Sequence, residues 1–352
     1  GAGAACAAAG VGDISDLADL PAGSGVAYLA TCTVAASSGQ CSNTADVTTP
    51  AGVIDPNPLD NDATDTDPVV GLVDVVYVSR ILEGEVAVID VGTDAVIRLL
   101  PTGSNPAEIG MVTGLSRAFV ADLTDGTVTV IDTGDHGIEN VVDVGVPVAT
   151  VGVDEAAQRV YALDFSNGVP GTDLHVIDAD TLVELDVFTV GSRTQNIAVD
   201  AVSDMAYVSD FDQGVHQIDL GAGTVVQNLP MANLPHGVAL DAAADRHYVT
   251  RIDSDSVAVV DTTTLTEIDS LAVGDAPQWI AIDRARAKAL VTNEGDGTVS
   301  LIDTAAGTVD PIAIPVGPEP LTVTIHEGAA KAYVYNAGDG TITVIDTVGE
   351  TV

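Results

Sequence analysis

A motif of Ile or Val followed by Asp recurs seven times along the chain, and this spacing constrains the fold more than any other feature. The copies end on Asp90, Asp132, Asp178, Asp219, Asp261, Asp303 and Asp346, at intervals of 42, 46, 41, 42, 42 and 43 residues. A second anchor precedes each copy: Tyr77-Val78, Phe119-Val120, Tyr161-Ala162, Tyr207-Val208, Tyr248-Val249, Leu290-Val291 and Tyr333-Val334. Most units open on a turn followed by alternating apolar residues, clearest in Pro235–Asp241 and Pro277–Asp283. Each unit therefore holds about four short segments of period two, separated by turn residues. Asp125-Gly126, Asp296-Gly297 and Asp339-Gly340 fall between the second and third segments, and Asp-Gly is the pair favoured by two-residue type I′ hairpins. One such four-stranded sheet cannot bury both faces alone, whereas sheets packed face to face in a ring can. No segment carries a sustained helical period. The expectation is an all-β chain, a seven-bladed β-propeller of four-stranded antiparallel blades.

The two ends of the repeat array depart from the pattern. In four units the opening Pro (Pro106, Pro235, Pro277, Pro320) lies 13 residues before the aromatic or Leu anchor, but Pro68 lies only 9 before Tyr77. Pro50-Ala-Gly-Val-Ile-Asp55 matches Pro235–Asp241 better, which implies an acidic insertion, residues 56–74, inside the first blade. The last unit has little room for a fourth strand. Ala45–Thr49 is expected to supply it, so that a strand of the N-terminal extension closes the last blade and removes an open edge. Residues 1–41 then form the extension and residues 42–352 the propeller.

Charge narrows the function. Eleven Lys and Arg stand against 52 Asp and Glu, a net charge of -41, and Lys288 and Lys331 are the only lysines. Such a chain has no basic surface with which to bind nucleic acid. It also has no apolar run of about 18 residues that would span a membrane as a helix. Cys32 and Cys41 flank a loop between two short predicted strands, and a local disulfide there implies an oxidising, extracellular or periplasmic setting. Cys6 is left over for lipidation, for a bridge to another chain, or as a free thiol.

Three groups of residues are candidates for chemistry. Asp60, Asp62, Asp65 and Asp67 crowd the acidic insertion, and alternating carboxylates on a loop suit Ca²⁺; a solvated acidic run is the alternative. The seven repeated Asp residues read as structural, each capping the turn that follows it. The turns into the innermost strands converge on one mouth of the channel, and there the repeats stop agreeing: Glu108, Gln195, Asn196, His236, Gln278 and Trp279. An indole beside amides suits a sugar or peptide; solvated loop residues are the alternative. The histidines show no zinc-ligand spacing, and no haem or nucleotide fingerprint is present, so neither cofactor is expected.

Leu290-Val-Thr-Asn-Glu-Gly-Asp-Gly-Thr-Val-Ser-Leu-Ile-Asp-Thr304 resembles the YVTN-type β-propeller repeat, with Leu290 in place of the usual Tyr. Val316-Gly317-Pro318-Glu319-Pro320 resembles the family's turn into the next blade, and the resemblance spans roughly Pro50 to Val352. It implies a surface-layer or cell-surface protein. With the charge and cysteines, this gives a secreted or cell-surface, non-enzymatic propeller that is structural, self-assembling or adhesive and calcium-stabilised. Its N-terminal arm either folds back on its own blades or contacts a neighbouring subunit in a homo-oligomer. A glycan- or peptide-binding propeller using the Trp279 face is the first alternative. A hydrolase resembling the metal-dependent lactonases, with Glu108 and Asn196 as ligands and His236 as base, is the second.

Overall fold

The computed structural model describes residues 39–46, 62–69, 74–165 and 172–352. The chain divides into two compact units, Gly1–Val73 and Asp74–Val352. In the first, β1 (Gly39–Asp46) and β2 (Asp62–Val69) pair antiparallel.

The second unit is a seven-bladed antiparallel propeller built on a four-strand plan. Blade 1 comprises β3 (Val75–Arg80), β4 (Glu85–Asp90) and β5 (Ala95–Pro101). Blade 2 comprises β6 (Pro106–Val112), β7 (Arg117–Asp122), β8 (Thr127–Asp132) and β9 (Gly137–Asp143). Blade 3 follows with β10 (Val148–Asp154), β11 (Arg159–Asp164), β12 (Thr172–Asp178) and β13 (Glu184–Gly191). Blade 4 holds β14 (Thr194–Asp200), β15 (Met205–Asp210), β16 (Gly214–Asp219) and β17 (Thr224–Leu229). Blade 5 holds β18 (Pro235–Asp241), β19 (Arg246–Arg251), β20 (Ser256–Asp261) and β21 (Thr266–Ala272). Blade 6 has β22 (Pro277–Asp283), β23 (Lys288–Asn293) and β24 (Thr298–Asp303), with its fourth strand split into β25 (Thr308–Val309) and β26 (Ile314–Pro315). Blade 7 has β27 (Pro320–His326), β28 (Lys331–Asn336) and β29 (Thr341–Asp346), plus a single bridge from Asp346 to Thr351.

Seven apolar clusters fill the seven seams between blades, including one that joins Tyr333 and Tyr335 of blade 7 to Val76, Val78 and Ile89 of blade 1. The aromatic or Leu anchor of every repeat is buried in a seam. The core is thus a ring of thin interfaces, which is why strands two and three of each blade are apolar on both faces.

Polar staples reinforce the seams. The first residue of the second strand is basic in five blades, and in four of them it reaches a backbone carbonyl of the next blade. Arg117 donates to the Ala179 and Asp180 carbonyls, Arg246 to Thr304, Lys288 to Thr347 and Lys331 to Val91. Nearer the channel, a hydroxyl on the second strand bridges two inner strands. Thr250 accepts from the Gly237 N–H at 2.8 Å and donates to the Gln278 carbonyl at 2.8 Å. Thr292 does the same between Trp279 and Leu321, and Ser209 between Asn196 and His236.

Several sequence expectations change. The Asp-Gly hairpins are four-residue loops: Asp122 pairs Thr127 and Asn293 pairs Thr298. Only the Gly of each pair has positive φ, whereas a type I′ turn needs it at both central residues. Ala45 and Asp46, expected at the open edge of blade 7, are paired with Ala63 and Asp62 within the first unit; residues 47–49 lie outside the described residues. The acidic insertion is not simply a loop, because β2 runs through it. The inner strand expected at Pro50–Asp55 lies outside the described residues. Consistent with a blade that shows three strands, Ser79 is buried at the bridging position with no partner among the described residues.

Candidate functional site: an axial polar cluster

The channel cluster begins with a defect in the sheets. In blades 2, 4, 5, 6 and 7 the first residue of the inner strand pairs with the last of the second strand. The register then skips two residues and resumes at the fourth. A bulge of this kind frees side chains from the ladder and re-aims them. The freed positions are the second and third residues of each inner strand, and they hold all six channel candidates.

The two positions do different things. Third residues meet across the channel. Glu108 of blade 2 accepts three hydrogen bonds on Oε2: from Asn196 Nδ2 of blade 4 at 2.8 Å, Trp279 Nε1 of blade 6 at 3.2 Å and Thr150 Oγ1 of blade 3 at 3.3 Å. One carboxylate oxygen therefore ties four blades. Protein surrounds the carboxyl, and lost hydration raises its pKa, an effect the three donors oppose. The side chain nevertheless keeps partial exposure, as expected of a group lining a channel.

Second residues form the mouth. The His236 ring meets the Trp279 ring edge-on at 4.8 Å and Phe211 at 5.8 Å, while the Arg193 guanidinium lies 5.3 Å over Phe211. Burial holds the His236 imidazole neutral, with its pKa down to about 4, and Nδ1 sits 3.2 Å from the Gln278 carbonyl. Gln278 donates to Glu294, and Gln195 donates to the Arg193 and Thr194 carbonyls.

The structure brings Glu108, Asn196, Trp279, His236 and Gln278 into one set of contacts, while Gln195 bonds carbonyls beside its own position; sequence reasoning missed Thr150. It occupies the same repeat position as Glu108, Asn196 and Trp279, and aligning the units by their opening residue would have found it. The Trp279 indole N–H is engaged by Glu108, so the ring edge that carries it faces inward. Asn196 turns its amide donor, not its oxygen, toward Glu108, and its Oδ1 accepts from the Val238 N–H at 3.4 Å.

The other candidates lie elsewhere. Asp62, Asp65 and Asp67 are on β2, in register with Asp46, Asn43 and Cys41; Asp60, Cys6 and Cys32 lie outside the described residues. The repeated Asp residues are turn caps. Asp261, for example, accepts from the Thr263 and Thr264 N–H groups at 3.0 and 2.8 Å, and its pKa is lowered by those bonds. His216 is buried 3.6 Å from Asp210, in the place where blades 2, 6 and 7 put a hydroxyl.

Comparison with solved structures finds propellers of unrelated sequence. Kuenenia stuttgartiensis hydrazine synthase aligns with a TM-score of 0.70 at 14% identity, over 78% of this chain and 92% of that chain. The Myceliophteria thermophila Cps50 (Swd1) β-propeller domain aligns at 0.64 and 15% identity, over 78% and 93%. The dihydro-heme d1 dehydrogenase NirN aligns at 0.58 and 16%, over 80% of this chain and 63% of that one. At these identities the likeness is one of fold alone. No family model and no curated protein matches the chain.

Proposed function

We propose that this chain is a YVTN-type repeat propeller that serves as a non-enzymatic, structural or adhesive module outside the cytoplasm. The observation that carries this reading is the axial cluster, in which every candidate catalytic group already ties blades together or packs the channel mouth. Glu108 accepts from three neutral donors on three other blades. His236 is neutral and enclosed, and both Gln side chains are engaged. A general base needs a substrate proton within reach and a pKa near the working pH, and a nucleophile needs an adjacent base. Here the carboxylate is a tie, and the one imidazole beside it has a pKa far below neutrality. The repeat residues support the family assignment, since Thr292 and Asn293 each make bonds particular to this blade geometry. The extracellular setting rests on the cysteines and the acidic surface.

The test compares wild type with Glu108→Gln on ester, lactone, phosphate-ester and glycoside substrates, with and without Ca²⁺, Mn²⁺ or Zn²⁺. The amide oxygen of Gln accepts the same three donors and carries no buried charge. Glu108→Gln should therefore melt at or above the wild-type temperature at pH 7, whereas Glu108→Ala, which orphans three donors, should lose about 2 kcal/mol or more. Turnover in the wild type that Glu108→Gln abolishes would sink the proposal.

A further inference from the structure

The scaffold reading leaves one feature of the axial cluster without a purpose. All three donors bind Oε2 of Glu108, and Oε1 takes no hydrogen bond among the described residues. Among the described residues no Lys or Arg is bonded to this carboxyl. The carboxyl is largely surrounded by protein yet keeps partial exposure, so its free oxygen is open to a cation that enters the channel. The surroundings suit one type of cation. At the mouth the His236 ring contacts both Trp279 and Phe211, and the Arg193 guanidinium over Phe211 shows that these rings already accept a cation. Gly237 stands at the third position of blade 5, where every other inner strand described carries a side chain. A Cβ there would fall 2.6 Å from the Gln278 carbonyl oxygen, so this gap in the ring is enforced by the backbone. The net charge of -41 draws cations toward the whole molecule.

We propose that the channel mouth binds a small organic ammonium ion, its N–H on Glu108 Oε1 and its carbon body against Trp279, His236 and Phe211. Aromatic faces and a carboxylate together are the chemistry that recognises an alkylammonium. A hard metal ion fits less well. Ca²⁺ takes six to eight oxygens, and this cluster offers one free carboxylate oxygen, the Asn196 oxygen being held by Val238 and the Thr150 hydroxyl donating to Glu108. The inference deepens the scaffold reading and rests on it for the absence of turnover.

Trp279 is the only tryptophan of the chain, so its fluorescence reports on this site alone. The full-length protein is titrated with n-butylammonium chloride, with n-pentanol as the neutral analogue of similar size, and with CaCl₂, at constant ionic strength. The expected result is a saturable change in Trp279 emission with n-butylammonium and none with n-pentanol. Glu108→Gln should weaken that binding at least tenfold, and Phe211→Leu, which leaves the axial ties intact, should weaken it several-fold. Equal responses to n-butylammonium and n-pentanol, or no response to either, would overturn the proposal. So would a saturable Ca²⁺ response that n-butylammonium does not compete with, since the site would then belong to a metal. A failure here leaves the scaffold reading standing, because that reading falls only to Glu108-dependent turnover.

Discussion

His247 shows how much a single residue can hold against its own chemistry. It is fully buried on β19, stacks 4.5 Å from Tyr207 across the seam between blades 4 and 5, and both its ring nitrogens lack partners among the described residues. Burial drives its pKa down to about 3. A histidine depressed from 6.5 in the unfolded chain favours the fold above that value and progressively opposes it as pH falls toward 3. His247→Phe keeps the stack and removes two unsatisfied atoms. It should stabilise the protein by about 1 kcal/mol at pH 7 and by more at pH 5, as read from urea unfolding at both values. A loss at pH 5 would mean that the imidazole finds a partner as it charges. The motif Leu290-Val-Thr-Asn293 gains physical content at the same scale. Leu290 and Val291 fill seams, Thr292 bridges inner strands, and Asn293 donates to the Thr298 and Ser300 hydroxyls at 2.9 Å.

At the scale of the element, the recurring device is a tie at the end of the second strand. Asp122 accepts from Thr127 and Thr129 at 2.9 and 2.7 Å and from the Gly103 N–H at 3.0 Å. Asn293 and Asn336 make the matching bonds in blades 6 and 7, against Gly274 and Gly317, where a Cβ would fall 2.6 Å from the Asn side chain. Blade 3 breaks the rule. Asp164 Oδ1 and the Thr172 hydroxyl are buried without partners among the described residues, and burial raises the Asp164 pKa to about 6. A carboxylate raised above its unfolded value near 3.8 stabilises the fold only while protonated, so this contribution is lost as pH rises through about 4 to 6. Asp164→Asn, which installs the residue of blades 6 and 7, should therefore gain on the order of 1 kcal/mol at pH 7, after allowing for solvent screening, and nothing at pH 4. Thermal melts at the two pH values decide it; equal gains at both would assign the effect to packing. Blade 3 lacks the bonds because Asp173 and His175 stand where blades 2, 6 and 7 carry the two hydroxyls, a difference that aligning the units on the repeated Asp makes readable in the sequence.

For the whole molecule, the charge balance dominates. Four of the eleven cations, Arg117, Arg246, Lys288 and Lys331, bond carbonyls of the next blade, whereas 52 acidic residues leave a large excess of negative charge. Salt at 1 M shortens the screening length to about 3 Å and relieves repulsion between surface carboxylates more than it weakens partly buried staples. The melting temperature should therefore rise between 10 mM and 1 M NaCl. A fall would show that the exposed ion pairs, such as Arg251 with Glu267 at 3.0 Å, outweigh the repulsion.

Sequence alone determined what repeats determine. A fixed period, turn residues at fixed offsets and strands apolar on both faces allow only a closed ring of like blades, because a lone blade leaves one face in water. The capping role of the seven Asp residues followed for the same reason, since each bond is local in the chain. Only the tertiary structure decided what happens at the axis. Glu108 and Trp279 are 171 residues apart, and nothing local specifies that they meet. The ring brings the third residues of the inner strands of blades 2, 3, 4 and 6 to one point, and their bonds to one another are strengthened by the partial exclusion of water there.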